Sequence, residues 1–314
     1  MKPAEIKNGM GPEGLLLRAV EELNREASSV FQGAKMSAAA IRKSADAMRK
    51  ALNDGDPGRF VSCAVEAGRP LWLWVSRIAP DSFEGRIIAV KPFIMSPELI
   101  ENGFIKELAG RARKFHKAGK LKVQIGIVPS ESGKIKLCEK QGFKLAYHLL
   151  SGNVRDSLRA VSGRKKALPP GYEIRPMDLA REMGDYMRLS VQTLKSDSTC
   201  SMYEVSAARI RMIFKKFFDK KTPVQAFGLY FNGVLAGNVT VSVEKTPKKL
   251  GLLANIGILP AHTGKGLSAN LYHAGLSWFK AQGVNRYVGC SSTERVLSRI
   301  KKMGRRAAIS YLKL

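Results

Sequence analysis

Apolar and polar positions alternate with the two-residue period of a strand at 60–65, 70–78 and 85–91, with turn residues between the runs. Apolar positions spaced three and four apart then predict a helix over 97–117. A strand is predicted over 122–128, a helix over 134–140 and a strand over 143–149. Ahead of these, 15–52 reads as two amphipathic helices. In the second half, 172–177 alternates like a short strand. Helical patterns follow over 178 to about 195, opened by the capping residue Asp178, and over about 205–218. Strands over 225–231 and 234–243 flank Asn232-Gly233, a strong hairpin signal. A strand over 250–259 ends at Pro260. A helix over 266–281, a strand over 286–290, a helix over 293–303 and a strand over 308–312 complete the chain.

The later part of this order occurs twice. Gln141-Gly142-Phe143 closes one helix as Met303-Gly304-Arg305 closes another, 162 positions apart, and the strands before them are offset by about the same amount. Between the halves, residues 162–171 (Ser-Gly-Arg-Lys-Lys-Ala-Leu-Pro-Pro-Gly) can continue neither helix nor strand. The pattern predicts a duplication with domains at 1–165 and 166–314.

Composition narrows the class. In 314 residues, 45% apolar and 25% charged, a disordered, collagen-like or coiled-coil chain is excluded. No apolar run nears the ~20 residues that span a bilayer. The first residues lack the apolar stretch of a secretory signal, so a cytoplasmic location is expected. Cys63, Cys138, Cys200 and Cys290 are widely spaced and form no C-x-x-C, which argues against a disulfide framework or a zinc ribbon; no metal is expected. Net charge is +27, divided as +13 over 1–170 and +14 over 171–314. A field of that sign attracts an anionic partner: nucleic acid, acidic lipid, an acidic protein or a phosphorylated ligand.

The chemistry concentrates at 256–268. A strand ends at Pro260, Gly264 and Gly266 follow, and a helix begins. Such a turn exposes successive backbone N–H groups at the positive end of a helix, where a diphosphate can bind. Here the chain resembles the GNAT superfamily, the Gcn5-related N-acetyltransferases. Ile258-Leu259-Pro260 and Thr263-Gly264-Lys265-Gly266-Leu267-Ser268 match the family's V-x-P and R/Q-G-x-G-x-G/A, with Thr263 and Ser268 as departures. In the first half, residues 136–143 (Leu137, Glu139, Lys140, Gly142, Phe143) are similar to the family's closing L-Y-E-K-x-G-F.

The resemblance implies an α+β fold (mixed α/β) of two tandem GNAT-like domains, each a twisted, largely antiparallel sheet flanked by helices. It also implies acyl transfer, most simply of acetyl from acetyl-CoA to an amine-bearing acceptor by direct attack in the C-terminal domain. The diphosphate would sit on Thr263, Gly264, Lys265, Gly266, Leu267 and Ser268, and the pantetheine along Ile256, Gly257 and Ile258. Thr293 stands where many members have an Asn touching the pantetheine. The family's frequent strand glutamate is missing. Asn255 is a candidate to hold a proton-relaying water, or is a strand hydrogen-bonding residue. His262, beside the loop, is the other candidate base, or an inert loop histidine. Tyr272 and His273 read as packing residues. The position of the family's acid Tyr holds Ile300, and its first-half counterpart Cys138 reads as a buried helix cysteine. Residues 98–104, the first-half counterpart of the loop, carry Glu98 and Glu101 and a single glycine, so the N-terminal domain is expected not to bind acyl-CoA. Two other readings stay open: an acyl carrier protein as donor, and a non-catalytic module binding nucleic acid or an acidic protein.

Overall fold

A computed structural model of the chain describes residues 4–6, 39, 42, 46, 60–66, 69–81, 85–95, 122–127, 132–140, 302, 304–313 and, apart from short breaks near 200, 220 and 246, 142–291. In chain order the elements are β1 (Ala4–Ile6), β2 (Phe60–Glu66), β3 (Arg69–Asp81), β4 (Gly85–Met95), β5 (Lys122–Ile127), α1 (Ser132–Lys140), β6 (Lys144–Asn153), α2 (Val154–Ser162), β7 (Tyr172–Pro176), α3 (Leu179–Lys195), α4 (Ala207–Phe218), β8 (Val224–Phe231), β9 (Val234–Glu244), β10 (Leu250–Ile258), α5 (Leu267–Ala281), β11 (Arg286–Ser291) and β12 (Arg305–Lys313). The helices expected over 15–52, 97–117 and 293–303 lie almost wholly outside the described residues.

The chain divides into two compact units, Met1–Ala146 with Ile309–Leu314, and Tyr147–Ala308. In the first, the strand order is β1-β2-β3-β4-β5 followed by the end of β12. Among its described strands, only β4 and β5 are parallel, from Ile87↔Lys122 to Val90↔Ile125. In the second, the order β7-β8-β9-β10-β11 is followed by the latter part of β6, and only β10 and β11 are parallel. The two units thus repeat one mixed α+β plan, strand for strand. The sixth strand of each comes from the other half of the sequence: β12 pairs Ser310–Lys313 with β5, and β6 pairs His148–Asn153 with β11.

Local chemistry sets the elements of the second unit. Asn232 and Gly233 both have positive φ (49° and 79°), which gives the tight turn of the β8–β9 hairpin the twist its strands require. Asp178 caps α3 by accepting from the Ala180 N–H, and Glu182 accepts from the Asp178 N–H, so two donors of the first turn are satisfied. Helix α2 was not predicted. Its signals are the cap Asn153, which accepts from the Asp156 N–H, and a face of Val154, Ser157 and Val161. The strand expected over 143–149 extends to Asn153, and β1 was too short to predict.

The core lies on both faces of this sheet. On one, Leu271, Leu276 and Phe279 of α5 pack with Val239, Val241, Leu253 and Tyr287, alongside Val154 and Val161 of α2. On the other, Tyr186 and Leu189 of α3 are buried with Ile210 and Phe214 of α4. Each such side chain contributes about 1.5–3 kcal/mol on leaving water.

Candidate active site

The two central strands of the second unit separate into a fork. Their parallel pairing runs from Leu250↔Arg286 to Leu253↔Gly289 and stops. Beyond that rung β10 bulges at Ala254 and keeps its pairing to β9 as far as Ile258↔Gly237. Strand β11 keeps its pairing to β6 through Cys290↔Leu149 and Ser291↔His148. Each strand follows its outer neighbour, and the facing edges of Asn255–Ile258 and Cys290–Ser291 lie open between them.

One arm of the fork runs into the glycine loop. Leu259 N–H donates to the Ala236 carbonyl, Pro260–His262 forms one 3-10 turn, and Thr263 N–H and hydroxyl both reach the Pro260 carbonyl. Gly264 and Gly266 follow at φ +81° and +77°, where any residue with a Cβ is strained, and no heavy atom lies within 4 Å of a Cβ built on either. Gly266 caps α5 without a side chain. Among the described residues, no backbone carbonyl accepts from the N–H groups of Gly264 to Ser268. Five donors are therefore left without a backbone acceptor at the positive end of a 15-residue helix.

His262 and Lys265 are tied to the first strand. Lys265 Nζ donates to the Tyr172 hydroxyl at 3.0 Å, and that hydroxyl shares a hydrogen bond with His262 Nδ1 at 2.7 Å. The His262 ring lies 5.7 Å from Tyr172 and 5.4 Å from Phe231, centroid to centroid.

Asn255 is buried in a polar network between β10 and α3. Its Nδ2 donates to Ser190 Oγ and Asn238 Oδ1, both at 3.3 Å, and Asn238 Nδ2 donates to Ser190 at 3.3 Å. Beside it the Tyr186 hydroxyl bonds Thr240 Oγ1, and burial pushes the Tyr186 pKa up to about 12. Gly257 allows α3 to approach: a Cβ there would lie 2.7 Å from Thr193 Oγ1. Sequence pattern pointed to Asn255 but not to Ser190, Asn238 or Tyr186, which come from other elements. Glu182, the half-buried end of α3's cap, is held by Arg175 through two hydrogen bonds and by Tyr230, and its pKa falls to about 2. Tyr272 is buried and accepts from Arg305, and His273 bonds Ser277. Cys138 is buried in α1, which pushes its pKa up to about 12. Thr293, Ile300, Glu98 and Glu101 lie outside the described residues.

The residues of the bulged arm, the glycine loop and the helix it opens all fall within a segment matched by a family model. The profile of the acetyltransferase (GNAT) family matches residues 189–299. That segment is a GNAT-family domain. Among solved structures, the chain is similar to a GCN5-related N-acetyltransferase from Sphaerobacter thermophilus, at 12% identity, covering 95% of this chain and 93% of that one, with a TM-score of 0.53. It is also similar to a functionally unknown conserved protein from Staphylococcus epidermidis (9% identity, 76% and 89% covered, TM-score 0.51). A tandem GNAT protein from the clavulanic acid biosynthesis pathway aligns over 100% of this chain and 98% of its own at 13% identity, with a TM-score of 0.49. At such identities the likeness is one of fold. No curated protein matches the sequence. No described helix is long and apolar enough to cross a membrane, and no cluster of described His, Cys, Asp or Glu is able to hold a metal ion.

Proposed function

We propose that the second unit is an N-acyltransferase that passes an acetyl group from acetyl-CoA to an amine by direct attack. The observation that carries this reading is the open fork ending in five unpaired amides at the start of α5. Those amides, from Gly264 to Ser268, receive the diphosphate; Lys265 adds a cation at its edge, and Thr263, whose N–H and hydroxyl are both held by the Pro260 carbonyl, fixes the approach to the loop. The pantetheine lies in the fork along Ile256, Gly257 and Ile258, where main-chain N–H groups stabilise the thioester oxyanion, and Thr293 is proposed from the sequence as a further contact. The amine nitrogen attacks the carbonyl carbon, and its proton passes to a water held at Asn255, oriented by Ser190 and Asn238. The N-terminal domain is proposed to be degenerate, because Glu98 and Glu101 would repel a diphosphate at the place of the loop.

The net charge of +27 supports one other donor, an acidic acyl carrier protein, and a cytoplasmic setting with reduced cysteines fits either. Calorimetric titration with acetyl-CoA at moderate salt tests the reading, with free CoA and ATP as controls. One site per chain is expected, tighter than ATP and lost in Gly266→Glu. Two sites per chain would overturn the degenerate first domain. Binding no tighter than ATP would overturn acetyl-CoA as donor.

A further inference from the structure

The most anomalous side chain of the second unit is Arg305, at the start of β12. It is 4% exposed, and its Nε and Nη2 have no hydrogen-bond partner among the described residues. Its one hydrogen bond runs from Nη1 to the Tyr272 hydroxyl at 3.2 Å, and the guanidinium lies 5.2 Å from the Tyr287 ring centroid. The titratable groups facing it among the described residues are Tyr272 on α5 and Tyr287 and Cys290 on β11; none is a carboxylate. A buried cation with two unpaired donors is costly, and packing alone gives no reason for it.

Its place explains it. A Cβ built on Gly289 would lie 2.8 Å from Arg305 Nη2 and 2.8 Å from the Leu253 carbonyl oxygen. Leu253↔Gly289 is the last rung before the strands part, so the guanidinium stands at the crotch of the fork. From Ile258, where the loop begins, to Leu253 is five residues, or about 16 Å at ~3.3 Å per residue. An extended pantetheine arm of roughly fourteen bonds covers the same length, since three chain bonds span about 3.5 Å. A pantetheine arm that enters the fork at Ile258 and follows β10 therefore brings its sulfur to this rung.

We propose that Arg305 holds the departing CoA sulfur as its thiolate, an inference that rests on the acyl-CoA reading above. As the tetrahedral intermediate collapses, the C–N bond is complete, the C–S bond breaks, and its electron pair stays on sulfur. Arg305 does not give up a proton, because its guanidinium does not titrate in a protein. The sulfur leaves as an anion paired to the unpaired N–H groups and is protonated from solvent after release. This removes the need for a hydroxyl acid at the place held by Ile300.

The test is an ultraviolet titration of the thiol of CoA bound to the full chain, compared with free CoA, in wild type, Arg305→Met and Arg305→Lys. An opposite charge within hydrogen-bond reach lowers the thiol pKa by about 1–3 units. That shift is expected in wild type, retained in large part in Arg305→Lys and absent in Arg305→Met. At a pH above the pKa of the free thiol, the affinity ratio of CoA to desulfo-CoA should fall at least about tenfold in Arg305→Met, the change that one lost pKa unit implies there. Free of ligand, Arg305→Met should melt at or above the wild-type temperature, because it removes an unpaired buried charge; a lower melting point would mark a structural arginine and count against the proposal. CoA that binds with an unshifted thiol in wild type, or with the same shift in Arg305→Met, overturns this inference and leaves the acyl-CoA reading standing. CoA that does not bind wild type overturns both.

Discussion

Replacing Asn255 by Ala separates a residue that holds the fold together from one that also holds a reacting water. Asn255 is 7% exposed, and its amide makes two donations, to Ser190 and Asn238. Each lost hydrogen bond is worth about 1 kcal/mol, and Asn238 Oδ1 is left without this donor in a buried site. The cost is therefore about 2–3 kcal/mol, including the small void left by the side chain. For a unit of this size, 1 kcal/mol shifts the melting temperature by about 2–4 °C, so a fall of roughly 5–10 °C is expected by calorimetry or circular dichroism. Measured well below melting, kcat should also fall, by about 100-fold if the relay runs through the water held there. An Asn255→Ala protein with the wild-type melting temperature would refute the buried-network reasoning. One with a lower melting temperature and unchanged kcat would refute the relay.

The other predictions concern the loop, the cap and the exchanged strand. Gly266→Ala places a Cβ at φ +77° in open space, so its stability cost is the left-handed backbone penalty of about 1–2 kcal/mol; Gly266→Asn, which tolerates that region, should melt nearer wild type, and equal melting of the two variants would refute the backbone argument. Glu182 has its pKa held near 2 in the folded protein against 4.5 when free, so the stability it adds is present above pH 4.5 and is lost as pH falls towards 2. Glu182→Gln should flatten the pH dependence of melting in that window, and an unchanged slope would show that the Arg175 pairing does not act. A fragment of residues 147–314 should unfold cooperatively on heating. One of 166–314 should not, because it lacks the strand that pairs with β11 and Ser157, which accepts from Tyr287; equal transitions would show that the exchanged strand is dispensable.

Most elements of the second unit were legible in the chain because each is decided locally. Asn232-Gly233 sets a hairpin, Asp178 opens a helix, and a two-residue period marks β8 to β10 whatever lies around them. The loop was legible for the same reason: only glycine adopts the backbone at Gly264 and Gly266 without strain. Three things were not legible. Helix α2 has one short apolar face, and its need for burial is met by α5, more than a hundred residues away in sequence. The exchange of β6 and β12 leaves no mark on either strand, since an alternating segment fits any open edge of suitable register. Arg305 is one of 53 basic residues, and nothing beside it in sequence distinguishes it. Periodicity and turn chemistry act over a few residues and are written in the chain; the burial of a charge, and what stands beside it, depend on segments that only the fold brings together.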